Sequence, residues 1–143
     1  MFLGEYQHNL DTKGRVAIPS KFRQQLSGKA IITRGLDRCL FVFTEKEWEI
    51  FAQKIVAMPL ALSNSRAFQR LLLAEATDAE VDKQGRVLIP IYLREYAHLK
   101  KETVITGLYK RFEIWDSESW KEYKSKTEAS GDDIAEKLGE MGI

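Results

Sequence analysis

The chain has 143 residues, 44% of them hydrophobic, and a formal net charge of +1. That content suits one globular domain or two very small ones, and the overall charge names no partner. No apolar run approaches the ~20 residues of a membrane span, and Met1-Phe2-Leu3-Gly4-Glu5 lacks the basic start of a secretory signal, so neither membrane insertion nor export is expected.

Cys39 is the only cysteine, which leaves no partner for an intrachain disulfide and suggests a reducing cytoplasm and a buried, inert thiol. Charge is unevenly spread. Residues 1–71 hold 11 Lys/Arg and 6 Asp/Glu, net +5, whereas residues 72–143 hold 11 and 15, net −4. Such asymmetry points to nucleic-acid binding by the basic half or to ordinary variation along a solvated surface.

In chain order, the first clear element is a turn. Asp11 to Gly14 has Asp at its first position and Gly at its last, as type I turns prefer, and Gly14 supplies the positive φ that closes a hairpin. Val16-Ala17-Ile18 is short and apolar, which predicts a buried strand. Pro19 ends it, and Ser20 is placed to cap a short helix from Lys21 to about Leu26. A strand at Ile31 to Arg34, a turn from Gly35 to Arg38 and a strand from Leu40 to Phe43 follow. Thr44 and Glu47 form a capping box for a helix whose apolar stripe is Trp48, Phe51, Ala52 and Ile55. Ser63 or Asn64 then caps a second helix, with Phe68, Leu71, Leu72 and Ala76 facing inward.

The next segment repeats the first. Asp82-Lys83-Gln84-Gly85-Arg86-Val87-Leu88-Ile89-Pro90 restates Asp11 to Pro19 at a distance of 71 residues, as Asp-x-x-Gly-Arg, three apolar residues and Pro. Arg94 follows its proline as Arg23 follows the first. Thr103 to Leu108 answers Ile31 to Leu36, and Phe112 to Trp115 answers Leu40 to Phe43. Asp116 is the matching cap, and Trp120 and Tyr123 match Trp48 and Phe51 as core or interface aromatics. A weak helix to Met141 closes the chain.

Each copy therefore reads as two strands, a short helix and two more strands. The expected division is 5–47 for the first repeat, 48–75 for a helical connector, 76–119 for the second repeat and 120–143 for a C-terminal helix and tail. A copy of about 45 residues hardly builds a core alone, so the two hairpins are expected to interlock about a pseudo-two-fold axis. The fold class is mainly β with short helices, α+β.

Phe2-Leu3-Gly4-Glu5-Tyr6, the doubled Asp-x-x-Gly-Arg-(apolar)3-Pro motif and the matching strand sets resemble the MraZ family, over about residues 1–125. The resemblance implies tandem SpoVT-AbrB-like units with swapped hairpins, a double-split β-barrel and a ring-shaped homo-oligomer. It also implies transcription regulation through double-stranded DNA, at short direct repeats upstream of the division and cell-wall gene cluster, and a nucleoid-associated place in the cytoplasm. The family's DNA-contacting motif carries onto Asp11, Lys13, Gly14 and Arg15, and onto Asp82, Gly85 and Arg86. The second copy departs from the first in having Gln84 where Lys13 stands, with Lys83 beside it.

The chemistry of these residues fits that use. Arginine reads guanine through paired bonds in the major groove, and Arg15 and Arg86 start strands directly after their turns. Lys13, Lys83, Lys21 and Arg23 are candidates to neutralise phosphates, and Asp11, Asp82 and Gly85 are expected to shape the turns. Read without the family, Arg15 can equally brace its own turn against Asp11. Arg34 and Arg38 flank another turn and are open in the same way.

An enzyme is not expected. His8 and His98 are the only histidines, with no His/Cys cluster for a metal, no phosphate loop and no nucleophile elbow. No cofactor or small-molecule substrate is expected either. Asp11 and Asp82 would be near each other under pseudo-symmetry, but turn closure accounts for both. The alternatives are a ring-forming scaffold for a protein partner, and an RNA binder, for which no stacking platform flanks the basic turn.

Overall fold

The computed structural model describes residues 1–142. The first copy comprises β1 (Phe2–Asn9), β2 (Arg15–Ala17), α1 (Ser20–Leu26), β3 (Lys29–Arg34) and β4 (Leu40–Phe43). Two helices follow, α2 (Glu45–Val56) and α3 (Ser63–Leu73). The second copy comprises β5 (Thr77–Glu80), β6 (Arg86–Leu88), α4 (Ile91–Tyr96), β7 (Glu102–Tyr109) and β8 (Phe112–Asp116), then α5 (Ser117–Ala129) and α6 (Gly131–Gly139). No helix among the described residues is long and apolar enough to cross a membrane.

The copies exchange strands. The six-stranded antiparallel sheet runs β1-β7-β8-β4-β3-β5, so the first strand of each copy pairs with the hairpin of the other. A second, two-stranded sheet joins β2 to β6. Both sheets are open, so the repeats form a sheet and a ribbon and not a closed barrel.

The sheet is covered on both faces, which is why β4 and β8 are buried along their whole length. On one face, Ile32, Val42, Ile105 and Ile114 pack with Val16 and Val87 of the ribbon and with Phe22 and Leu93 of α1 and α4, in one core drawn from both copies. Phe2, Tyr6, Phe22 and Phe112 meet there with ring centroids 5.0–5.3 Å apart. On the opposite face, Phe41, Phe43 and Trp115 pack with Trp48, Phe51 and Trp120. The aromatics matched by the repeat adopt matched packing: Phe51 lies 4.8 Å from Phe43, and Tyr123 lies 5.0 Å from Trp115.

Local signals hold where side-chain chemistry carries them. Thr44 accepts from the Glu47 N–H at 3.1 Å, and Asp116 from the Ser119 N–H at 3.1 Å, so both caps are formed. Three expectations fail. Ser20 and Ser63 are first helical residues with no capping bond, because Pro19 and Leu62 take the cap positions. The inward face of α3 differs: Leu71 is 41% exposed, Ala76 lies past the helix end at Leu73, and Ser65 is buried with Leu72 on the inner side. The strand alignment is also displaced by one residue. Ile32 pairs with Val42 as Ile105 pairs with Ile114, so Thr33 corresponds to Thr106 and Arg34 to Gly107. A shift of one residue exchanges the faces of a strand, and burial of Ile32 and Ile105 in the same core fixes it.

Candidate nucleic-acid interface

Two turns with matching hydrogen bonds lead into the strands of the ribbon. In the first, the backbone N–H groups of Lys13 and Arg15 donate to Asp11 Oδ1 at 2.9 and 2.8 Å, and Arg15 Nε donates to Oδ2 at 2.9 Å. In the second, the N–H groups of Gln84 and Arg86 donate to Asp82 Oδ1, both at 2.9 Å, and Arg86 Nε donates to Oδ2 at 3.0 Å. The Gly14 N–H donates to the Asp11 carbonyl, and the Gly85 N–H to that of Asp82, at 3.1 and 2.9 Å. Gly14 and Gly85 have φ of +85° and +77°, where a side chain is strained.

Each aspartate thus satisfies two backbone donors and fixes one arginine. The Arg15 N–H chiefly, with the Arg15 side chain and the Lys13 N–H, holds the Asp11 carboxyl below the usual carboxylate range against its own desolvation. Asp82 is held down in the same way, chiefly by the Arg86 N–H. Tethering by Nε leaves both terminal nitrogens of Arg15, and one of Arg86, without a turn carboxylate among the described residues, and that is the edge that forks onto a base or phosphate.

The ribbon sets the two arginines side by side. Val16 opposes Val87, and both are fully buried. Arg15 opposes Leu88 and Arg86 opposes Ala17, so both arginines occupy the other face at a diagonal. Diagonal neighbours in such a pair lie ~7–8 Å apart. Arg86 Nη1 lies 3.6 Å from Asp11 Oδ2, so it is drawn partly toward the first turn.

Each turn is braced by the other copy. The Ile89 N–H donates to the Gly14 carbonyl and the Ile18 N–H to the Gly85 carbonyl, both at 2.9 Å. The α-carbon of Gly14 faces the Arg94 guanidinium, and that of Gly85 faces the Arg23 guanidinium. Arg94 Nε donates to the Ile89 carbonyl at 2.9 Å, and Arg23 Nη1 lies 3.5 Å from the Gln84 carbonyl.

The structure therefore brings Asp11, Lys13, Gly14, Arg15 and Arg94 together at one turn, and Asp82, Lys83, Gly85, Arg86 and Arg23 at the other. Lys13, Lys83 and Lys21 are exposed, while Arg23 is half-buried beneath the turn of the opposite copy. Arg94 joins the site from outside the repeated Asp-x-x-Gly-Arg motif. Its signal was its repeat spacing after Pro90, the same as that of Arg23 after Pro19. Arg34 is held elsewhere, by Glu75 at 2.7 and 3.2 Å and over the Tyr96 ring at 4.2 Å. Cys39 is buried; desolvation chiefly, with Glu113 nearby, raises its thiol far above the ordinary range, as befits an inert thiol.

Two interlocked copies, each presenting an aspartate-tethered arginine on a shared ribbon, define a tandem-repeat protein with paired cationic turns. The family model described as "MraZ protein, putative antitoxin-like" matches residues 1–71 and again 72–140. Among curated relatives, the Transcriptional regulator MraZ of Carboxydothermus hydrogenoformans is 53% identical over 96% of each chain. Those of Desulforamulus reducens and Caldicellulosiruptor saccharolyticus are 48% and 49% identical, over 99% and 100% of each chain. The chain belongs to the MraZ family.

Proposed function

We propose that this chain is a DNA-binding transcription regulator that reads short direct repeats with Arg15 and Arg86. The relatives bear the name of a transcriptional regulator, which is a non-enzymatic role. The observation that carries the reading is the tether. A carboxylate holding Nε of each arginine sets the direction of its terminal nitrogens before any ligand arrives, so less side-chain freedom is lost on binding. Lys13, Lys83 and Lys21 are the phosphate-neutralising residues in this scheme, and Arg23 supports the second turn while adding positive field.

A single arginine pair gives ~1–3 kcal/mol of base discrimination, too little for a genome. A ring of several copies facing phased repeats supplies the remainder through effective concentration. In that setting the targets are repeats upstream of the division and cell-wall gene cluster, and the protein sits on the nucleoid. The domain division expected from the sequence is kept in this reading.

The test is a titration of the intact, assembled protein on duplexes with one repeat, three phased repeats or scrambled sequence, at two salt concentrations. Preference for phased repeats, lost in Arg15→Ala without loss of assembly, supports the reading. Equal affinity for all three duplexes overturns it in favour of a partner-binding scaffold, and a preference for RNA duplex or single strand redirects it to RNA.

A further inference from the structure

The two turns draw their flanking lysine from different places. Each turn is entered beside a loop of the other copy. The Leu10 N–H donates to the Lys101 carbonyl at 2.7 Å, and the Val81 N–H donates to the Gly28 carbonyl at 2.9 Å. Leu10 and Val81 each precede the aspartate of their turn, so Lys101 beside the first turn corresponds to Gly28 beside the second. On the turns themselves the chemistry is reversed: Thr12 follows Asp11, whereas Lys83 follows Asp82. Each flank therefore has one lysine, supplied by the opposite copy at the first turn and by the turn itself at the second.

The neighbouring charges are already committed. Lys100 is held by Asp116 at 3.3 Å and lies 3.8 Å from Glu118. At the second turn, Lys29 follows Gly28 but is held by Asp78 at 3.0 Å and Glu45 at 3.3 Å, so that loop offers no cation of its own. Lys101 and the adjacent Glu102 are exposed, and neither makes an ion pair within 4 Å among the described residues. An open cleft of about 460 Å³ separates the loop from the first turn, lined with Leu10, Asp11, Thr12, Lys100 and Lys101. Its one carboxylate, Asp11, is the group that tethers Arg15.

We infer that this cleft takes a phosphate of the DNA backbone and that Lys101 is its cation, doing for the first turn what Lys83 does for the second. The lining suits that group: an unpaired ammonium to neutralise it, and the Thr12 hydroxyl as a neutral donor. The contact lies beside Arg15, against the carboxylate that aims it, so it fixes the register of the arginine on the duplex and reads no base itself. It also gives the acidic half of the chain a part in the first turn's binding, through one lysine carried across by the exchange of strands. The inference rests on the DNA reading in the proposed function and adds a residue to it.

The experiment is a salt titration of the intact protein on the phased-repeat and scrambled duplexes, for wild type, Lys101→Ala, and Lys101→Ala combined with Thr12→Lys. Lys54→Ala is the control, exposed on α2, which packs on the sheet face opposite the ribbon. Lys101→Ala is expected to make the slope of log affinity against log salt shallower by about 0.9 for each first turn engaged. Its preference for repeats over scrambled DNA should stay that of wild type, as a backbone contact requires. Thr12→Lys should restore the slope by returning the lysine to the turn, where the second copy carries it, and Lys54→Ala should leave the slope unchanged. An unaltered slope in Lys101→Ala overturns the inference, as does an equal change in Lys54→Ala or a Thr12→Lys that restores nothing. Loss of repeat preference in Lys101→Ala overturns the assignment to a phosphate. A wild type that binds none of the duplexes sinks the DNA reading itself, whereas a wild type that binds them with Lys101→Ala unchanged sinks only this inference.

Discussion

Arg86 reaches across the ribbon to Asp11, with Nη1 3.6 Å from Oδ2, and Arg15 makes no reciprocal approach to Asp82 within 4 Å among the described residues. The two turns are alike in construction but not in commitment. Asp11 holds its own arginine and attracts its neighbour's, while Asp82 holds only its own.

Under the proposed function, this asymmetry ranks the two arginines. Arg15 keeps both terminal nitrogens available, whereas one of Arg86 is partly occupied. Arg15→Ala is expected to lower affinity for phased repeats by about 1–3 kcal/mol and to erase their preference over scrambled DNA. Arg86→Ala is expected to cost less, with both variants retaining the wild-type mass. Fluorescence anisotropy on matched and scrambled duplexes measures the ranking, and an equal loss in the two variants contradicts it.

Acid is expected to loosen both turns. Asp11 and Asp82 have folded pKa values below their ordinary 3.8, so they stabilise the fold above that value and cease to do so as pH falls through the depressed one. His8 opens an earlier window. Burial, then the nearby Arg23 charge, lowers its pKa below 6.5, so its contribution is complete above pH 6.5 and declines as pH falls through the lower folded value. Melting temperature should show two declines on acidification. Asp11→Asn with Asp82→Asn should flatten the lower one and His8→Gln the upper one. Carbon-13 titration of the two carboxyls checks the direction independently.

Half of the chain is expected not to fold. The strand β1 pairs only with β7 of the other copy, and the core of the first copy is completed by Val87, Ile89, Leu93 and Ile114. A fragment of residues 1–58 should give no cooperative monomeric melt by circular dichroism. Addition of residues 59–143 as a second fragment should restore one.

Gly85→Ala is expected to destabilise by about 1–2 kcal/mol from left-handed backbone strain alone. Its new methyl would also meet the Arg23 guanidinium, which must move. Urea unfolding measures the loss. Combining it with Arg23→Ala should recover the steric part and leave the backbone part, because glycine alone tolerates φ of +77° without a cost in the side chain.

Much of this was legible from the residues. Asp11, Gly14 and Arg15 announced their turn because the chemistry is local: a carboxylate two and four residues before the N–H groups it accepts, and a glycine where φ must be positive. The repeat then placed the second turn without further evidence. The bracing of Gly14 by Arg94 and of Gly85 by Arg23 was not legible, because those partners meet only after the strands exchange. Leu71 was misplaced because a helix with one buried stripe presents nearby apolar residues at its margin, and periodicity alone does not fix the stripe's edge. Thr33 and Thr106 were misaligned because loop lengths differ between copies, and strand register is set by burial and not by similarity of letters.

The exchange of first strands has a consequence for how such a protein changes over generations. Each turn is closed by groups drawn from the partner repeat, Arg94 and Ile89 on one side and Arg23 and Ile18 on the other. A substitution that alters one turn therefore perturbs the support of its twin. The two turns cannot drift apart freely, and under the proposed function a new recognition preference has to be reached by paired changes in both halves of the gene.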